Sequence, residues 1–382
     1  MQVALVRYRY SPHGGAERYL DALAAGLLEK GSAVKLLASS WEGEGARGIQ
    51  LERISVFDRP KPLRVCLFSR AVMDWAMRNP DWLLFSLERV PGAEVYRAGD
   101  GCHAEWLLRK RVLRPGIWPV DSVRLLNRAY LFLEKRMFLS PKLRMVIANS
   151  FRGREEIVRH YGVSPERIAV IYNGVDTSRY PLDRRREAAQ SLREMFGIPK
   201  NVPVYLFVGS GFTRKGVGCL VEASILLARK GVQFRVIVVG KGPQAPYLRK
   251  VRTTSVGDLL IFTGPVPDAR IYFLGADAFV FPTLYEPFSN ACLEAMAAGL
   301  PVITTKVNGA SEILEEGSTG FLLEDPVDAP TLADRMEALL APDVRREMGE
   351  KARNVAEGFP TERNARETLE CLDRIWREKT GG

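Results

Sequence analysis

Two glutamates, Glu286 and Glu294, bracket the run Glu-Pro-Phe-Ser-Asn-Ala-Cys-Leu-Glu, which follows an apolar stretch at Ala278–Phe281. Ser289 or Asn290 can cap a helix reaching about Ala298, so Glu286 falls in the loop and Glu294 a little over one turn inside the helix. Carboxylates so placed can accept hydrogen bonds from two sets of hydroxyls on one ligand. The N–H groups near Asn290 would face an anion between them. An ordinary helix ion pair for Glu294 is the plain alternative. The strand entry Gly299-Leu-Pro301 downstream favours the ligand.

Two glycine loops suit an anion as well. Gly14-Gly15 follows the apolar run Val3–Val6 and opens a helical pattern (Ala16, Tyr19, Leu20, Leu23, Leu27) that Gly31 ends. Such a loop is either a tight turn or a phosphate approach, and a lone Gly-Gly pair does not choose. The loop Gly209-Ser-Gly-Phe-Thr-Arg214-Lys215-Gly216 adds two adjacent cations, which can neutralise a diphosphate. A nicotinamide fingerprint is the rival there. It fails because the next strand, Phe234–Val239, ends in Gly240-Lys241, with no acid to take a ribose diol.

The elements that must hold these loops repeat. Strand patterns at Val3–Val6, Val34–Ala38, Trp82–Ser86, Val95–Arg97 and Met145–Ala148 predict one doubly wound α/β domain over 1–172. A restart at Ile168–Tyr172, Val204–Gly209, Phe234–Val239, Leu259–Thr263, Ala278–Phe281 and Val302–Thr304 predicts a second over 173–360, after a linker around 173–203. A polar helix is expected at Asp183–Gly197 and another helix at Cys219–Arg229. An amphipathic helix at Thr361–Lys379 is expected to return to the first domain. Ligands of such sheets bind at the carboxyl ends of their strands.

Length fits two domains: 382 residues exceed one compact core. No apolar run approaches the roughly 18 residues of a membrane span, and no secretion signal is visible. Five scattered cysteines without a CxxC argue against a disulfide framework and for a reducing, cytoplasmic setting. No Asp-x-Asp occurs and the three histidines are far apart, so no metal is expected and the cations and helix N-termini must hold a diphosphate themselves.

Taken together, Glu286…Glu294, Gly14-Gly15-Ala-Glu-Arg18, Arg214-Lys215-Gly216 and Lys306-Val-Asn-Gly-Ala-Ser-Glu312 resemble the retaining glycosyltransferases of family four, over the whole chain. The resemblance implies the GT-B fold, two Rossmann-like domains facing a central cleft: an acceptor domain, then a nucleotide-sugar domain. It implies that Arg214 and Lys215 hold the diphosphate, Glu294 the ribose and Glu286 the donor sugar. The Gly14-Gly15 loop would touch the distal phosphate, with Asn173, Val266, Ser289 and Asn290 completing the donor site. Asp100 falls beside the transferred sugar, where many members carry histidine. The runs Ser40-Trp-Glu-Gly43 and Tyr96-Arg-Ala-Gly-Asp-Gly-Cys-His-Ala-Glu105 further resemble members that move a hexose, glucose being expected, from UDP to a heptose of the lipopolysaccharide core. Open alternatives are another donor or acceptor, a sugar-nucleotide epimerase on a similar fold, or a non-enzymatic basic module that binds lipid or nucleic acid.

The charge is uneven. Residues 1–172 hold 28 Lys and Arg against 18 Asp and Glu, which is the entire net +10. Within them Glu105–Met145 carries ten basic and three acidic residues, interleaved with Trp106, Trp118, Tyr130, Phe132 and Phe138. This composition suits a helix on the anionic inner face of the cytoplasmic membrane, with Arg109, Lys110 and Arg111 toward headgroups. Packing on the first domain is the competing reading. Nucleic acid has no accompanying motif.

Overall fold

The computed structural model describes residues 1–10, 15–42, 48–113, 124–252, 254 and 259–381. The sequence readings on Gly14, Gly43 and Trp118 lie outside them. The chain divides into two units, Met1–Asn173 with Thr361–Gly382, and Gly174–Pro360.

The first unit holds a parallel sheet of β1 (Gln2–Val6), β3 (Ala33–Ala38), β5 (Gln50–Arg53), β6 (Leu83–Ser86), β7 (Val95–Arg97), β8 (Met145–Ala148) and β9 (Ile168–Val170). A short pair, β2 (Arg9–Tyr10) and β4 (Ser40–Trp41), stands apart. Their order, β5-β3-β1-β6-β7-β8-β9, reverses direction between β1 and β6. The described helices are α1 (Gly15–Glu29), α2 (Lys61–Arg78), α3 (His103–Leu113), α4 (Leu125–Phe138), α5 (Phe151–Tyr161) and a C-terminal helix, Thr361–Thr380. Alternation along β1 explains the layering. Val3 and Leu5 face Leu20, Leu23 and Leu27 of α1 and Leu369, Leu372 and Ile375 of the C-terminal helix. Ala4 and Val6 face Phe68, Val72 and Trp75 of α2. A Cβ on Gly26 of α1 would stand 2.7 Å from the Leu369 side chain, so glycine permits the close approach of those two helices. Leu372 is fully buried, and truncating it to alanine would cost about 2–5 kcal/mol.

The second unit holds β10 (Val204–Val208), β11 (Arg235–Val239), β12 (Leu260–Gly264), β13 (Ala278–Phe281), β14 (Val302–Thr305) and β15 (Gly320–Leu323), all parallel. The order β12-β11-β10-β13-β14-β15 reverses between β10 and β13. Its helices are α6 (Arg185–Phe196), α7 (Val217–Arg229), α8 (Ala245–Arg252), α9 (Arg270–Gly275), α10 (Asn290–Ala297), α11 (Ala329–Ala338) and α12 (Pro342–Glu357).

Three sequence readings are corrected. Ile168–Tyr172 does not begin the second sheet; β9 pairs with β8 and closes the first. The stretch 174–203 is no free linker. Arg185 of α6 donates to the carbonyls of Ala276 at 2.9 Å and Gly299 at 2.7 Å, and Arg193 pairs with Asp277 at 2.7 Å, binding the segment into the second unit. Helix α7 begins at Val217, because Gly216, at φ 78°, is its N-cap.

Candidate active site

In an open parallel sheet, loops leaving two strands on either side of the point where the order reverses diverge and leave room for a ligand. In the second unit those strands are β10 and β13. Their loops carry Arg214, Lys215 and Glu286.

The β10 loop is shaped by glycine where nothing larger fits. At Gly216 an ideal Cβ would fall 1.7 Å from the Pro282 carbonyl oxygen. The Arg214 and Lys215 amides both donate to the Gly211 carbonyl, at 3.0 and 3.2 Å, which turns the two cations to one side just before α7. The Arg214 carbonyl accepts from the Leu284 amide at 2.8 Å and the buried Thr283 hydroxyl at 3.1 Å, tying the two loops together. Arg214 Nη1 then donates to Glu286 Oε2 at 2.9 Å and to the Tyr285 carbonyl at 2.8 Å. Lys215 Nζ lies 3.7 Å from the same carboxylate and 5.1 Å from the centre of the Phe281 ring. Arg214 remains one-third exposed, so its outer edge can still meet an anion.

Glu286 and the α10 N-terminus are fixed by a residue whose role the sequence reading missed. Asn308 is fully buried, and its Oδ1 accepts from the Ser289 and Ala310 amides, both at 3.1 Å. Its Nδ2 donates to Thr304 Oγ1 at 3.0 Å and Cys292 Sγ at 3.3 Å. Backbone bonds from the Gly309 amide to the Glu286 carbonyl (2.9 Å) and from the Glu286 amide to Val307 (3.3 Å) complete the clamp. The run Lys306–Glu312 had stood out as a motif; which of its residues turns inward was not readable from spacing. Ser289 caps α10 by accepting from the Cys292 amide at 3.3 Å, and the half-buried Asn290 and Glu294 follow on the same helix. Val266 is half-buried in the loop after β12, also at the carboxyl end of this sheet.

In the first unit Gly15 is the first residue of α1. Asp100 is exposed in a turn after β7, closed by a 3.1 Å bond from the Gly101 amide to the Ala98 carbonyl, with Gly101 at φ 70°. The turn is anchored by Arg89, which donates to the Gly101 carbonyl (3.3 Å) and pairs with the fully buried Glu134 (3.0 Å). Glu134 in turn accepts from the His103 and Ala104 amides at the start of α3, at 2.9 and 3.2 Å, and from the Tyr161 hydroxyl at 2.7 Å. A carboxylate at a helix N-terminus is favourably placed, but no spacing in the sequence announced this one. Burial, aided by the nearby Arg89 charge, lowers the His103 pKa to about 4 and keeps the ring neutral. Burial also raises Glu88 above the usual carboxylate range, against the pull of Arg7. Asn173 accepts a 2.7 Å bond from Arg97.

The expected membrane-facing triplet is only partly outward. Arg109 pairs with the buried Glu105 at 2.8 Å, and Glu105 also binds Arg159 at 2.8 Å and His160 at 2.9 Å. Arg109 therefore compensates a buried charge instead of facing headgroups, which corrects the reading for that residue. Lys110 is half-buried and Arg111 exposed.

Residues 13–179 match the model of Glycosyltransferase Family 4, and residues 189–355 match that of glycosyl transferases group 1. With two parallel Rossmann-like sheets and these two matches, the chain is a glycosyltransferase of the GT-B fold. The lipopolysaccharide glucosyltransferase WaaG of Escherichia coli (strain K12) is 25% identical over 359 residues, 94% of each chain. A crystal structure of WaaG, described as a glycosyltransferase involved in lipopolysaccharide biosynthesis, superposes with a TM-score of 0.82 at 24% identity, covering 100% of both chains. Anabaena Alr3699/HepE in complex with UDP-glucose gives 0.72 at 20% identity, covering 98% of this chain and 100% of that one.

Proposed function

We propose that this glycosyltransferase moves a hexose, glucose first among candidates, from UDP to a sugar hydroxyl of a lipopolysaccharide core, with retention of configuration. The observation that carries the reading is the convergence of Arg214, Lys215 and Glu286 where the sheet order reverses. The likeness to WaaG supports the acceptor class, and the UDP-glucose complex of a protein with the same fold supports the donor.

On this reading Arg214 and Lys215 bind the diphosphate and stabilise it as it departs, since charge-assisted bonds strengthen as negative charge collects on the leaving oxygen. Glu286 accepts from donor-sugar hydroxyls, Glu294 from the ribose, and the α10 N-terminus adds its N–H groups. Val266, in the loop after β12, adds a further donor contact. The departing phosphate takes the acceptor proton on the face it leaves, so retention needs no enzyme nucleophile. Asp100 orients the sugar. No metal is required, and chelator should leave the rate unchanged.

Membrane docking belongs to the same reading, through α4. Leu125, Phe132 and Leu139 are 67%, 53% and 58% exposed at seven-residue spacing, and Arg128, Lys135 and Arg136 are exposed beside them. No described helix is long and apolar enough to cross a membrane.

The test is incubation of purified protein with UDP-glucose and deacylated core oligosaccharide, reading the new linkage by NMR. An α-linked hexose is expected. Epimerised UDP-sugar without acceptor, or a β-linkage, would overturn the proposal.

A further inference from the structure

Arg97, the last residue of β7, is 4% exposed. Its guanidinium lies 4.2 Å from the centre of the Tyr19 ring, and Nη2 donates to Asn173 Oδ1 at 2.7 Å. Nη1 is buried without a hydrogen-bond partner. Five other arginines have an orphaned buried nitrogen: Arg64, Arg109, Arg152, Arg193 and Arg335. Each of those five is ion-paired, to Asp58, Glu105, Glu156, Asp277 and Glu316 respectively. Among the described residues Arg97 has no carboxylate within ion-pair distance. A guanidinium does not shed its proton on burial, so the charge persists, met among the described residues by the Tyr19 ring and Asn173 but by no anion.

The location suggests what compensates it. Arg97 ends a strand at the carboxyl edge of the first sheet, where ligands of such sheets bind. Gly99 and Asp100, which follow, are exposed, and an ideal Cβ on Gly99 would meet nothing within 4 Å. A second orphan lies on the neighbouring strand end. Asn149 is 2% exposed, its Oδ1 has no partner, and its Nδ2 reaches the Gly99 carbonyl at 3.5 Å. One cationic donor and one neutral acceptor, both unfilled, describe a ligand carrying an anionic group and a hydroxyl.

We infer that Arg97 is an anion-binding residue of the first unit, and that the acceptor sugar carries a phosphate there, with Asn149 accepting from a neighbouring hydroxyl. This rests on the glycosyl-transfer reading for the word acceptor. The donor diphosphate already has Arg214 and Lys215 in the other unit.

The probe is inorganic phosphate, then glucose 6-phosphate against glucose, titrated by calorimetry into protein saturated with UDP so that Arg214 and Lys215 are occupied. Wild type should bind glucose 6-phosphate at least about tenfold more tightly than glucose. Arg97→Met should lose that margin and keep its UDP affinity; Arg97→Lys should retain part of it. Melting in phosphate-free buffer separates this from a structural role. Relieved of an unpaired buried charge, Arg97→Met should melt above wild type, whereas a purely structural arginine would lower the midpoint. Unchanged phosphate preference in Arg97→Met, equal weakening of UDP, or a lower midpoint would each overturn the inference. If UDP itself fails to bind wild type while the phosphate preference stands, the donor reading falls and the anion site survives.

Discussion

Arg214 and Glu286 meet at 2.9 Å although 72 residues separate them in the chain. The ion pair aims both groups and holds them partly desolvated, which leaves little reorganisation for the moment of reaction. The pair also couples the two: removing Glu286 would free Arg214 to swing, so the two substitutions should not be additive.

Lys215→Ala should lower transfer by about 10- to 100-fold, the loss of one charge-assisted bond of about 1.5–3 kcal/mol. Gly209→Ala tests position instead of charge. A Cβ there would fall 2.7 Å from Lys215 Cδ and 3.1 Å from Nζ, so it must displace the ammonium. Steady-state rates for both variants check this, and a normal rate in Lys215→Ala would remove the phosphate role.

Glu294→Ala should weaken UDP by about tenfold while leaving kcat at saturation nearly unchanged, because ribose contacts are alike in ground and transition states. Calorimetry with UDP and a donor-saturation curve separate the two quantities. A fall in kcat alone would place Glu294 nearer the reacting atoms.

Asn308→Ala should damage a site it does not touch. It strands the Ser289 and Ala310 amides in a buried position, at about 1–3 kcal/mol each, and loosens the Glu286 loop. Both the melting midpoint and kcat should drop. A stable variant of normal rate would show that the backbone bonds alone hold the loop.

His103 sets a pH dependence of stability. Its folded pKa of about 4 lies below its ordinary 6.5, chiefly through burial. Between those values the unfolded chain takes up a proton that the folded protein refuses, so stability falls as pH drops from about 6.5 toward about 4 and is level above. The full contribution is up to about 3 kcal/mol. Denaturant titrations of wild type and His103→Gln across pH 4–7 should show that component only in wild type.

Membrane docking should follow α4. Phe132→Ser with Lys135→Glu and Arg136→Glu should release the protein from anionic vesicles at low salt without affecting transfer to a soluble acceptor. Arg109→Gln should instead lower stability and leave vesicle binding intact, since its partner is the buried Glu105. Co-sedimentation and thermal melts distinguish the two.

The sequence conveyed the elements whose residues repeat at a fixed period and the glycines whose backbone needs are local. Met145–Ala148 came out with its observed bounds, and α10 and the C-terminal helix to within a residue at each end. What stayed hidden depended on partners distant in the chain. Gln50–Arg53 lacks a clean apolar period, and only its neighbours in the sheet specify it; Lys61–Arg78 carries Phe68, Val72 and Trp75 at helical spacing and was not read as a helix. The charge of Glu105–Met145 looked like one basic surface. Folding splits it, because Glu105 turns inward and takes Arg109 with it, while Glu134 turns inward onto Arg89, which lies outside the segment. Asn308 was inside a recognised motif, yet its orientation follows from a sheet edge laid down by residues 281–305.

The C-terminal helix inverts the order in which the two units can be completed. The first unit's core needs Leu369, Leu372 and Ile375, which leave the ribosome only after every residue of the second unit. During synthesis the first-made strands must wait with one face of β1 partly uncovered, while the later-made unit can close first. A released chain ending at residue 360 should therefore contain a protease-resistant second unit attached to a first unit that is still cleavable.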